Sequence, residues 1–135
     1  LLLNYANTNV EIAKSDIPNT VGTRIAGHAK HITNGWLNYN FNKNSALKGF
    51  GLSLGYQYLV DRSSWTWNAN NNTELPDYFR MDGGVHWKNN KLRVALNINN
   101  ILNKHLYSGA NYGTYLYWQS EPGINGRVSL TYNLF

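Results

Sequence analysis

The 135-residue chain has no cysteine. A disulfide scaffold, a thiolate metal site and a cysteine nucleophile are therefore excluded. Charge is scarce. Charged residues make up 14 % of the chain, against roughly 25 % in soluble domains. No apolar run approaches the roughly 20 residues of a membrane-spanning helix, so a helical membrane protein is excluded too. Helical periodicity is almost missing. The opening residues, Leu1 to Tyr5, carry neither a charged leader region nor a cleavage site. They read as the interior of a longer element rather than a signal peptide. Other things are abundant. The chain holds 22 Asn and 12 Gly, which favour turns over helix, and ten Tyr and five Trp. Its formal net charge is +5.

The dominant signal is alternation with period two. Phe50, Leu52, Leu54, Tyr56 and Tyr58 alternate with Gly51, Ser53, Gly55 and Gln57. Leu92, Val94, Leu96 and Ile98 alternate with Arg93, Ala95, Asn97 and Asn99. Similar runs cover 33–42, 79–87 and 128–134, with a weaker one at 1–6. These make six expected strands. Their connections alternate in length. Asn42 to Ser45 and Lys88 to Lys91 are short polar turns. Residues 14–29, 61–75 and 105–125 form long links.

Short turns at one end and long loops at the other is the plan of an outer-membrane barrel. Strands of about ten residues cross a bilayer when tilted. One face of each strand is apolar or aromatic, and the other carries Asn, Ser, Gly, Gln and Arg. Aromatics gather near strand ends, as in the girdles at both bilayer interfaces. Six strands are too few to close, because every backbone donor inside lipid needs a partner. The expected architecture is therefore all-β: a transmembrane antiparallel barrel segment, with residues 1–135 forming the C-terminal part of a larger barrel.

Several motifs carry a family resemblance. The segment Asn97 to Tyr107, N-I-N-N-I-L-N-K-H-L-Y, resembles the N-V-x-N-L-F-D-K-x-Y signature of TonB-dependent outer-membrane receptors. Asn100, Lys104 and Tyr107 keep the pattern, while Leu102 and Asn103 replace the usual Phe and Asp. Leu75 to Asp82 is similar to the family's L-P-x-Y-x-x-x-D strand start. Gly27 to His31, followed by Trp36 to Phe41, resembles its x-P-x-H…W-x-x-Y-x-F strand, with Ala29 at the position of the Pro. Leu47 to Phe50 is similar to L-x-G-L. The chain ends on an aromatic, although Phe135 is out of phase with Leu134, Tyr132 and Leu130. The ferric-siderophore group, especially the ferrichrome-type receptors, is the nearest in flavour.

The resemblance implies the last six strands of a 22-stranded barrel, with a plug domain and earlier strands outside this chain. It implies a bacterial outer-membrane location, surrounded by lipid and lipopolysaccharide. It also implies uptake of a ferric siderophore or similar small ligand, driven by the TonB energy-coupling protein acting through the plug.

No catalytic, metal or cofactor site is expected. The seven carboxylates, Glu11, Asp16, Asp61, Glu74, Asp77, Asp82 and Glu121, form no fixed-spacing pair. His28 and His31 have helical ligand spacing but point to opposite faces of a strand. The best binding candidates are loop aromatics with no core to bury them: Trp65, Trp67, Tyr112, Tyr115, Tyr117 and Trp118. Exposed aromatics of this kind mark binding surfaces, and their rings and polar tips suit a siderophore or sugar. Arg62 and Arg80, near the outer strand ends, would attract an anionic chelate. Lys43, Lys48, Lys88 and Lys91 flank the short turns. Basic and aromatic residues also suit nucleic acid, but these charges are dispersed, and no nucleic-acid partner is expected. Two alternatives stay open. One is a soluble carbohydrate-binding β-domain. The other is a wall of another large outer-membrane barrel, transporting cobalamin, sugar or peptide.

Overall fold

The computed structural model describes residues 1–25, 27–63, 74–112 and 115–134, with backbone alone over 110–112 and 115–117. Its strands in chain order are β1 (Leu2–Asn7), β2 (Ala29–Asn40), β3 (Phe50–Ser63), β4 (Glu74–Leu75), β5 (Tyr78–Lys88), β6 (Leu92–Asn99), β7 (Tyr107–Tyr112), β8 (Tyr115–Ser120) and β9 (Asn125–Tyr132). Six long strands pair antiparallel in the order β1-β2-β3-β5-β6-β9, and β4 adds to the far end of β3. β7 and β8 form a separate two-stranded ribbon. No helix of the described residues is long and apolar enough to cross a membrane.

Register turns the sequence alternation into two chemically distinct faces. Across β2, β3, β5, β6 and β9, one row reads Tyr39, Leu52, Val85, Leu96, Val128. The neighbouring row reads Asn38, Ser53, Gly84, Asn97, Arg127. Directly paired residues share a face and successive residues alternate, so the first row is apolar and the second polar. The apolar face is uncovered: Leu52 is 47 % exposed and Val128 70 %. Moving one such side chain from water to an apolar surrounding is worth about 1.5–3 kcal/mol. This face therefore calls for an apolar medium. β1 and β9 each pair on one side only, so these strands form an open wall and not a closed barrel.

Both short connections lie at one end of the wall. Ser45 N–H donates to Asn42 O at 3.0 Å in the first. In the second, Asn89 Oδ1 accepts the N–H groups of Lys91 and Leu92 at 2.9 and 2.7 Å. Gly49, at φ 89°, touches the Lys88 carbonyl and receives no side chain there. The three long loops share the opposite end.

The structure differs from the sequence reading in particulars. β6 stops at Asn99, well before the long link expected from 105, because Asn100 and Asn103 take φ of 51° and 48°. Asparagine tolerates this left-handed region, which ends extended backbone. β3 runs to Ser63, five residues past its expected end, because β2 and β4 continue to pair with it. The last long link is not wholly irregular, since it holds the β7–β8 ribbon. Phe135 lies outside the described residues.

Candidate ligand mouth

The first long loop and β4 are seated on the protruding end of β3. In the first, Ile12 N–H donates to Thr23 O at 3.0 Å and Gly22 N–H to Ile12 O at 2.9 Å, folding 8–28 back on itself. Ser63 then fixes that fold to the wall. Its N–H donates to His28 O at 2.9 Å, its carbonyl accepts Gly27 N–H at 2.6 Å, and its Oγ donates to Ile25 O at 2.5 Å. Arg24 adds an ion pair to Asp61 at 2.6 Å and a second bond to the Asp61 carbonyl at 2.6 Å. Asp61 lies beyond the apolar stripe of β3. There the Arg24 hydrogen bond holds its carboxyl below the usual carboxylate range.

β7 meets this loop, and β4 meets β7, at small residues. A Cβ added at Gly27, which has φ 76°, would stand 2.9 Å from the Gly109 carbonyl oxygen. Gly109 of β7 in turn packs against the Leu75 side chain of β4. Leu75 and Leu106 are buried there. Among the described residues, the first loop, β4 and β7 thus pack together as a layer at this end.

Below that layer, on the polar face, lies a linked set of charges. Tyr78 OH donates to Glu121 Oε2 at 2.8 Å. Arg80 Nε bonds Asp82 at 2.8 Å, and its Nη1 is 3.9 Å from Glu121. Asp82 also accepts the Asn100 N–H at 2.8 Å. The Asn100 side chain is fully buried. It accepts Lys104 N–H at 3.0 Å and donates to Lys104 O at 2.9 Å and Pro122 O at 3.3 Å. A polar recess of about 180 Å³ opens beside Arg80, Asn99, Glu121 and Asn125.

The sequence candidates fall unevenly on this layer. Arg62 is only 5 % exposed. It donates to Pro76 O at 3.0 Å, and its guanidinium carbon stands 5.3 Å from the centre of the Tyr78 ring. Arg80 is engaged by Asp82 and Glu121. Trp118 is 42 % exposed, and its ring lies 5.8 Å from that of Tyr107. Tyr112 pairs with Tyr115, and Tyr117 with Ala110, along the β7–β8 ribbon. Trp65 and Trp67 lie outside the described residues. Lys104 Nζ sits 5.0 Å over the Phe79 ring. His28 Nε2 bonds Thr8 Oγ1 at 2.9 Å and His31 Nδ1 bonds Tyr5 OH at 3.0 Å. Among the described residues, no three His, Asp or Glu side chains gather as a metal site.

Sequence reasoning finds no sign of the roles of Ser63 and Arg24, and it names Glu121 only among the carboxylates and Asn100 only within the family signature. Only Asn100 left a local signal: the apolar alternation ends at Ile98, and an Asn stands where the next apolar residue would fall.

Residues 1–101 match the family described as TonB dependent receptor-like, beta-barrel, and the chain belongs to that family. Over 130 residues it is 29 % identical to the ferrioxamine B receptor of Salmonella typhimurium strain SL1344, and equally to that of strain LT2. The alignment covers 93 % of this chain and 18 % of each relative, so the chain spans under a fifth of their length.

Proposed function

We propose that this chain is the C-terminal wall segment of a TonB-dependent outer-membrane transporter that takes up a ferric siderophore. In this reading residues 1–135 supply the last six strands of a 22-stranded barrel and three extracellular loops. A plug fills the lumen against the polar face, and the TonB protein acts through that plug. The observation that carries the reading is the two-faced wall, with both short turns at one end and all three long connections leaving from the other. The family membership and the likeness to a ferrioxamine B receptor support the transport class and the ligand class.

Trp65, Trp67, Tyr112, Tyr115, Tyr117 and Trp118 are assigned to ligand contact by flat stacking and by their N–H and O–H groups. Arg62 and Arg80 belong to the rim of the mouth. Their partners make them holders of its shape and local field, rather than free cations for a chelate. Growth of a strain lacking this gene, with ferric ferrioxamine B and other ferric siderophores as sole iron sources, tests the reading. Loss of growth on at least one chelate, restored by the gene, is the expected result. Unchanged uptake of every chelate counts against the siderophore assignment.

A further inference from the structure

The net charge of the chain is not spread along the wall. All seven carboxylate side chains lie in the loop half, and none is nearer the turns than Asp82 of β5. Lys14, Arg24, Lys30, Arg62, Arg80 and Lys104 share that half and nearly balance them, while Arg127 is aligned with Gly84 on the turn side of Asp82. The five remaining basic residues, Lys43, Lys48, Lys88, Lys91 and Arg93, stand at the turn end. The uncompensated positive charge therefore gathers toward the turn end.

Four of these cations share one concavity. Lys43, Lys48, Lys88 and Lys91 line an open cleft of about 1030 Å³ between the two turns, together with Phe50 and Trp87. Phe50 and Trp87 are direct partners across β3 and β5, and both belong to the apolar face. The Lys88 N–H donates to Gly49 O at 2.9 Å, so the two turns hold a fixed spacing. All four lysines are exposed, and none makes an ion pair among the described residues. The cleft thus joins aromatic surface, of the kind that sits at the headgroup level, to unneutralised ammonium groups on long apolar stems.

We propose that this cleft binds the phosphate headgroup of an anionic phospholipid in the leaflet on the turn side. The inference rests on the reading of the chain as a membrane wall. The acyl chains lie along the apolar face beside Phe50 and Trp87, and the phosphodiester sits among the four lysines. A lipid suits the cleft better than a soluble anion, because its floor is continuous with the apolar face. Charge attraction at a membrane surface adds with each Lys near it and weakens with salt.

The test uses the complete protein carrying this chain, purified and reconstituted in phosphatidylethanolamine vesicles with a minor share of phosphatidylglycerol. Spin-labelled phosphatidylglycerol and phosphatidylethanolamine report their relative association with the protein. The wild type is expected to prefer phosphatidylglycerol several-fold, with the preference falling as salt rises. K43Q/K48Q/K88Q/K91Q is expected to bring the ratio close to one, while K14Q/K30Q, at the loop end, leaves it unchanged. An equal ratio in wild type, or an undiminished one in the quadruple variant, overturns the proposal. So does a quadruple variant that loses binding to isolated cell-wall sacculi but keeps its lipid preference. If that variant does not fold, K43Q/K48Q and K88Q/K91Q are measured separately, each expected to lose part of the preference. Heat-modifiable gel mobility reports barrel formation independently. Its absence in wild type overturns the wall reading and this proposal together, whereas a formed barrel without lipid preference overturns this proposal alone.

Discussion

The Asp82 carboxylate accepts the backbone N–H of Asn100 at 2.8 Å, tying the middle of β5 to the residue that ends β6. The same oxygen receives Arg80 Nε at 2.8 Å. One carboxylate therefore serves both the turn at φ 51° and the arginine two residues before it on β5.

Asp82→Ala removes both bonds and leaves Arg80 with only the longer Glu121 contact. Hydrogen bonds to charged groups contribute about 1.5–3 kcal/mol when well shielded, and Asp82 is partly solvent-accessible, so a loss of about 1–2 kcal/mol is expected. Thermal unfolding of the complete barrel in detergent measures it. Asp82→Asn, which keeps an acceptor for Asn100, is expected to lose less.

Asn100→Ala strips a buried amide from three hydrogen bonds and puts a Cβ residue of poorer tolerance at positive φ. The expected cost is about 2–4 kcal/mol, from lost bonds of about 1 kcal/mol each plus buried groups left unpaired. Asn100→Gly relieves only the backbone part and is expected to remain clearly destabilised. Equal stability of Asn100→Gly and wild type would show that the side-chain bonds contribute nothing.

Gly55 lies directly under the Trp36 ring, and a Cβ there overlaps it. Gly55→Val is expected to push the indole off the wall and cost about 1–3 kcal/mol, the usual penalty of overpacking. Trp fluorescence should shift and the melting temperature fall. Combining Gly55→Val with Trp36→Ala should recover much of the loss.

Ser63→Ala deletes the hydroxyl that donates to Ile25 O. The first loop should become more open to limited proteolysis within 8–28, with barrel melting changed by under about 1.5 kcal/mol, the scale of a single hydrogen bond. Acid should act on the same loop through Asp61. Its lowered carboxyl contributes holding energy above the ordinary carboxylate range, and that contribution is lost as pH falls through the native value. Proteolytic susceptibility of the loop should therefore rise at strongly acid pH in wild type and much less in Arg24→Gln.

Trp65→Ala with Trp67→Ala is expected to weaken ligand binding by at least tenfold in a titration, with unchanged melting. Equal affinity would remove this pair from the contact surface.

The wall was legible in the sequence because its faces repeat every two residues. Phe50 to Tyr58 and Leu92 to Ile98 announce their strands locally, and the two short turns carry their own Asn and Lys signals. The loop layer was not legible, because its contacts join distant positions. Nothing near Arg62 in sequence shows that the Tyr78 ring and the Pro76 carbonyl enclose it. Nothing near Ser63 shows that His28 and Ile25 lie beside it. The β7–β8 ribbon escaped because Gly109 and a run of Tyr break the clean alternation. The family motifs supplied what periodicity lacked, by aligning Asn97 to Tyr107 with a known strand end.

The unequal placement of charge also bears on assembly. For a wall that enters the bilayer loops first, the half that must cross carries acids and bases in near balance, some of them mated in the folded protein, such as Arg24 with Asp61 and Arg80 with Asp82. The uncompensated cations trail at the other end and never leave water. Crossing thus moves little net charge through lipid, and the lysines oppose any further slide. The strand ends would then set insertion depth and direction electrostatically.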